Sequence, residues 1–202
     1  MSFFENTRKP VGLGGKLMVA MMNLGHSPVA RWGLRFLKTA SDARVLDCGC
    51  GGGANIKRLL RKCPQGRVDG IDYSSVSVEK SKKVNQAAIA EGRCAVRQAS
   101  VAELPFAAEQ FDVVTAFETV YFWPDLPQCF MEVHRVLRPG GTFFICNESS
   151  GDTDKDEKWT KIIGGMTIYN DTRLKMYLEQ AGFRDVLIHK SKLGWLCVTA
   201  CI

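Results

Sequence analysis

Arg44-Val45-Leu46-Asp47-Cys48-Gly49-Cys50-Gly51-Gly52-Gly53-Ala54 is the stretch from which the fold can be read. A short apolar run closed by glycines predicts a buried parallel strand and a tight turn. The residues that follow, Asn55-Ile56-Lys57-Arg58-Leu59-Leu60-Arg61, space their apolar side chains as a helix does. The unit is therefore strand, glycine turn, helix. Glycines let the backbone approach a ligand, and a helix starting there points free N–H groups at it. The glycines alone do not choose the ligand, because Gly49-x-Gly51-x-x-Ala54 also satisfies the loose dinucleotide fingerprint. Asp47 separates the readings. An acid at that strand end repels a pyrophosphate and suits a ligand with a cationic amino-acid end, held directly or through water.

In this the stretch resembles the first motif of the class I S-adenosylmethionine (SAM)-dependent methyltransferases, in which an acid precedes G-x-G-x-G. Asp47, Gly49, Gly51 and Gly53 match that motif position by position, with Cys50 inside the loop. Further along, Arg67-Val68-Asp69-Gly70-Ile71-Asp72 predicts a second strand ending in an acid. A carboxylate there can accept both hydroxyls of a ribose, as in nucleotide-binding sheets. The plainer alternative has Asp72 capping the next helix, a task Ser74 or Ser75 would do as well. Together with Asp47 and the glycines, the ribose role is preferred, and Tyr73 is placed to flank the adenosine.

A third strand, Cys94 to Ala99, leads into Ser100-Val101-Ala102-Glu103-Leu104-Pro105-Phe106. This is similar to the family's third motif, with Ser100 where an Asp is usual. Its hydroxyl can still accept from an adenine amino group, without charge, and Val101 can pack on the ring. Phe111 to Phe117 predicts the fourth strand, and Phe117 through Tyr121 the lining of the cofactor and acceptor pocket at the sheet's carboxyl edge. The Asn/Asp-Pro-Pro-Tyr/Phe motif of nucleic-acid base methyltransferases is not found there, which argues against such substrates. Arg138-Pro139-Gly140-Gly141 fits the family's turn before a fifth strand, Thr142 to Asn147.

Elsewhere local signals set the expectations. Residues 1–12 carry no periodicity, Leu13 to Asn23 reads as a helix ended by Gly25, and Ser27-Pro28 as the N-cap and first position of the next. Ala30, Leu34 and Leu37 form that helix's apolar side. Ser77 to Glu91 and Cys129 to Leu137 predict helices, the second carrying His134 on its surface. Residues 148–170 read as a long loop that would help cover the site. Asp171 would cap a last helix, Thr172 to Gln180, before strands at Asp185 to His189 and Leu196 to Ala200. The resemblance covers residues 40–202 and implies an α/β, Rossmann-like, doubly wound sheet of seven mostly parallel strands with a reversed last strand. Residues 1–39 would form a helical cap on that SAM-binding domain, the whole making one compact unit.

Length and composition agree. A chain of 202 residues, 46% hydrophobic and 24% charged, suits one α/β domain. The net charge of +6 is spread along the chain apart from Lys80-Ser81-Lys82-Lys83, which reads as a solvated helix face. Eight cysteines without a secretory signal imply free thiols in a reducing, cytoplasmic setting. Cys48, Cys146 and Cys197 fall in predicted strands, and no second pair at zinc spacing follows Cys48-x-Cys50, so no metal is expected. A methyltransferase using thiols, of the arsenite type, stays open, though nothing marks three cysteines as a set. Leu17 to Leu24 is too short to span a membrane.

The function implied is methyl transfer from SAM to a small-molecule acceptor by in-line displacement. Alignment of the two reactants supplies much of the rate in such a reaction, and a base is needed only if the acceptor must lose a proton. Candidates for an acid–base or orienting group are His26, Tyr121 and Tyr169. His26 is either a solvated linker histidine or a donor or base over the methionine end of the cofactor. Three alternatives stand beside this reading: a non-catalytic SAM-binding module, a macromolecular acceptor such as tRNA or protein, and a nicotinamide-dependent oxidoreductase. Asp47 and the terminal strand pair count against the last.

Overall fold

The computed structural model of the chain describes residues 12–152 and 154–202. Seven strands form one sheet in the order β3-β2-β1-β4-β5-β7-β6. They are β1 Arg44–Cys48, β2 Arg67–Asp72, β3 Cys94–Gln98, β4 Phe111–Phe117, β5 Leu137–Asn147, β6 Arg184–Lys190 and β7 Leu196–Cys201. β1 lies between β2 and β4, parallel to both, and four of its five residues are buried. This is why the sequence there is a continuous apolar run rather than an alternating one. β7 runs antiparallel to β5 and β6, the reversed last strand that the sequence led us to expect.

The helices are α1 Gly12–Gly25, α2 Ser27–Gly33, α3 Ala54–Lys62, α4 Ser75–Val84, α5 Gln86–Ala90, α6 Leu126–Val136, α7 Asp154–Ile162 and α8 Asp171–Gln180. They cover both faces of the sheet. Phe130 and Val133 of α6 and Leu174 and Leu178 of α8 meet Val114, Phe143 and Ile145 on one face. Val29 and Ala30 of α2, Ile56 and Leu59 of α3 and Val78 of α4 meet Val45, Val68 and Phe144 on the other. α2 comes very close to β5: a Cβ on Gly33 would fall 2.4 Å from Cys146 Sγ. That contact ties the N-terminal helices to the sheet. The pairing order reverses between β1 and β4, so a crevice opens at their carboxyl ends, where doubly wound sheets hold their ligands.

Several local expectations are corrected. His26, not Ser27, stands at the N-cap of α2, and it makes no side-chain capping bond. The Ser27 hydroxyl instead accepts from Arg31 and Arg58. The helix expected over Ser77 to Glu91 is two, α4 and α5, with Asn85 between them at φ −111°. β5 begins at Leu137 and pairs with Phe111 before the glycine turn, because the register shifts there rather than ending. The loop expected over 148–170 contains α7. Asn170, not Asp171, caps α8 by accepting from Arg173 N, while Asp171 pairs with Lys190 at 2.7 Å. His134 is half-buried, edge-on to Phe183. The expectation for residues 1–11 lies outside the described residues.

Candidate functional site

A cavity of about 430 Å³ opens at the carboxyl ends of β1, β2 and β4. The glycine loop forms one wall. Gly49 N and Cys50 N both donate to Ile71 O at 2.9 Å, which folds the loop across the end of β2. Gly49, Gly51 and Gly53 have φ of 76°, 50° and 80°, a region in which a side chain is strained. A Cβ on Gly49 would also strike Thr119 Oγ1 at 2.1 Å, whereas at Gly51 it would meet nothing within 4 Å. The backbone is therefore bare where it faces the cavity at Gly51.

Asp72 sits at the tip of β2, buried but lining the cavity. Its Oδ2 accepts from Gly51 N at 2.9 Å and its Oδ1 from Ser74 N at 2.8 Å. The Ser77 side chain also donates to this carboxylate, which keeps acceptor capacity for a ligand hydroxyl. Burial raises its pKa, and the two backbone donors oppose the rise. Ser74 caps α4 by accepting from Ser77 N, so the helix does not need Asp72. Asn85 Nδ2 donates to Gly53 O and to Ser81 O, both at 3.0 Å. The residue that breaks the expected helix thus clamps the glycine loop to it.

Ile71, Ala99, Val101 and Phe117 give the cavity an apolar slot beside Asp72, with Tyr73 and Ser100 at its exposed edge. Ser100 Oγ accepts from Ala102 N at 3.2 Å. The far wall comes from the N-terminal helices through His26, Val29 and Ala30, and from Phe122, Trp123 and Gly165. Trp123 Nε1 donates to Thr119 Oγ1 at 3.1 Å, which fixes the indole against the loop. A bare glycine turn, a buried acid on the cavity wall and an apolar slot are what an adenosine needs. The cavity's size falls within the usual 300–1,000 Å³ range for small-molecule sites, so the residues present fit the cofactor implied by the sequence.

Asp47 is not on the cavity wall. It lies 1% exposed beneath the loop, accepts from Thr115 Oγ1 at 2.7 Å, and leaves Oδ2 without a partner. Burial pushes its pKa up to about 7, against the Thr115 bond and with help from Asp72. Gly53 is also behind the wall. Of the three acid–base candidates only His26 reaches the cavity. Tyr121 is buried and exchanges hydrogen bonds with Ser149, accepting from its N at 3.0 Å and donating to its O at 3.3 Å. Tyr169 packs edge-on against Tyr177 beneath Arg173.

Sequence reasoning did not single out Glu118, which follows β4 with φ 57° and lines the cavity. Its Oε1 accepts from Glu148 N. Burial, and then the charge of Glu148, push its carboxyl well above the usual range. His26 Nε2 lies 3.9 Å from Glu148 Oε2, and ligating atoms of His26, Glu118 and Glu148 all fall within 4.8 Å of one another. Burial lowers the pKa of His26, with Glu148 opposing. His26 and Glu118 thus bring a proton donor or acceptor pair to the cavity wall, with Glu148 beside them. These residues are far apart in sequence, and the only signal for Glu118 was its place at the carboxyl end of the fourth strand.

Residues 46–145 match the methyltransferase-domain family. The chain is 32% identical over 153 residues to cycloartenol-C-24-methyltransferase of Arabidopsis thaliana, covering 71% of this chain and 45% of that one. It is 28% identical over 183 residues to demethylmenaquinone methyltransferase of Lactobacillus johnsonii, covering 78% of this chain and 75% of that one. A SAM-dependent methyltransferase from Aquifex aeolicus superposes with a TM-score of 0.78 at 18% identity, over 93% of this chain and 98% of that one. The chain spans less than half the length of the plant enzyme. No helix among the described residues is long and apolar enough to cross a membrane.

Proposed function

Because the chain belongs to the class I SAM-dependent methyltransferases, we propose that it moves a methyl group from SAM to a small-molecule acceptor by in-line displacement. The observation that carries the reading is Asp72, held on the cavity wall by Gly51 N and Ser74 N. In this reading Asp72 takes the ribose hydroxyls, and the Gly49–Gly53 loop takes the backbone of the bound nucleoside. Tyr73, Ser100, Val101 and Phe117 enclose the adenine. Asp47, bonded to Thr115 across β1 and β4, lies beneath the loop rather than touching the ligand. SAM, when bound, supplies a sulfonium-activated methyl group.

The remaining wall determines the acceptor. His26, Val29, Ala30, Phe122 and Trp123 make it mostly apolar, with one acid–base set at His26 and Glu118. Such a wall shields an acceptor from water and can hold the proton it releases. The relatives named above act, by name, on a sterol and on a quinone precursor, which supports a carbon or oxygen acceptor on an apolar skeleton. Residues 12–39 would serve as the cap and residues 40–202 as the cofactor domain.

The test is release of S-adenosylhomocysteine (SAH) from SAM during incubation with acceptor pools that span phenols, quinols, sterols and amines. SAH formed with one small-molecule pool is the expected result. SAM binding without SAH from any pool, protein and tRNA included, would leave the non-catalytic module as the better reading.

A further inference from the structure

Beside the cavity, α2 and α3 frame a second hollow of about 350 Å³, lined by Arg31, Leu34, Arg35, Arg58, Arg61 and Lys62. Five of the six are cations. Among the described residues, no ion pair joins any of the five to a carboxylate. Two are fixed without being neutralised: Ser27 Oγ accepts from Arg31 Nη2 at 2.9 Å and from Arg58 Nη2 at 2.7 Å. Arg58 Nη1 donates to Asn55 Oδ1 at 2.7 Å, so a serine and an asparagine position a guanidinium that no acid balances.

Like charges at this density repel, and those one helical turn apart, such as Arg58 with Arg61 and Lys62, weaken the helix that carries them. The Arg58 cation is destabilised by burial and then by Arg31 and Arg61. A solvated face would let these side chains splay apart, but Ser27 is buried and draws two of them together. Paired planar guanidinium forks match the oxygens of a phosphate better than they match any single carboxylate.

We propose that the hollow between α2 and α3 is a binding site for a phosphate or diphosphate group, centred on Arg31, Arg58 and Arg61. Arg58 lines both this hollow and the main cavity, so an anionic group held here places the rest of its molecule toward the methyl-transfer site. The natural occupant is then an acceptor that carries such a group. That last step rests on the methyltransferase reading, whereas anion binding itself does not.

The experiment is calorimetric titration of the full chain, saturated with SAH, with inorganic pyrophosphate and with inorganic phosphate. The comparison is an Arg35→Glu/Arg61→Glu variant, both positions being exposed and away from the main cavity. Saturable pyrophosphate binding is expected, weakened roughly tenfold or more in the variant as charge-assisted contacts are lost. SAH affinity should stay within about twofold, because neither side chain reaches the cofactor wall. Tighter binding of pyrophosphate than of phosphate would mark a diphosphate site, and equal binding a monophosphate one. Absence of saturable binding, or equal binding by the variant, overturns the proposal. So does binding of single-stranded RNA with which pyrophosphate does not compete, since the patch would then serve a polyanion. If SAH fails to bind while pyrophosphate does, the methyltransferase reading falls and the anion site stands.

Discussion

Replacing Asp47 by Asn tests the protonation of the acid buried beneath the glycine loop. The side chain is 1% exposed, with one oxygen bonded to Thr115 and the other without a partner. Burial carries its pKa from 3.8 to about 7. A carboxyl that binds its proton more tightly when folded contributes stability that is fully present below the unfolded value. That contribution is lost as pH rises through the folded one. Between pH 5 and pH 8 the loss spans about two pH units, or about 3 kcal/mol at roughly 1.4 kcal/mol per unit. Asn has nearly the same shape, keeps an acceptor for Thr115 and does not titrate. The other shifted groups, Asp72, Glu118 and His26, remain in both proteins. Urea unfolding followed by circular dichroism, at pH 5 and pH 8, gives the comparison. Asp47→Asn should gain about 3 kcal/mol on the native protein over that interval, with the denaturant slope unchanged. An equal stability difference at both pH values would refute a protonated, desolvated Asp47.

Three further outcomes follow from the site and its support. Asp72→Asn should weaken SAH binding by about ten- to a hundredfold in calorimetry, the loss of a charged acceptor for ribose hydroxyls. Glu118→Gln should leave SAH affinity within about twofold but cut turnover by at least about a hundredfold, as loss of a general base does. Because burial raises the carboxyl of Glu118, turnover of the native protein should climb with pH at values above the ordinary carboxylate range, and the variant's pH profile should lack that limb. Gly33→Ala should cost about 1–3 kcal/mol in thermal or urea unfolding, because the new methyl group would sit 2.4 Å from Cys146 Sγ.

The middle of the sheet was legible because β1, β2 and β4 are almost wholly buried. β2 and β4 match the expected Arg67–Asp72 and Phe111–Phe117 to the residue. One cavity wall followed from the same signals: Asp72, Tyr73, Ser100, Val101 and Phe117 all line one cavity with Gly49, Cys50 and Gly51. What escaped depended on contacts between distant segments. Asp47, expected to hold the ligand directly or through water, lies off the cavity wall, since strand-end position does not reveal which side of the loop a side chain takes. Asn85 ended a helix early because its amide has a better partner in Gly53 O, 32 positions away. Asn170 displaced Asp171 as a cap, and Lys190 explains where the acid went instead. His26, Glu118 and Glu148 share no motif: the pairing of β4 with β5 joins the two acids, and the packing of α2 against β5 brings His26 to them.

If this cavity holds SAM through Asp72 and the glycine loop, isothermal calorimetry of the protein with SAM, SAH and NAD in parallel should give saturable binding of SAM and SAH, with no heat of binding from NAD. Binding of NAD in preference to SAM and SAH, or no binding of either sulfur nucleoside, would contradict that assignment.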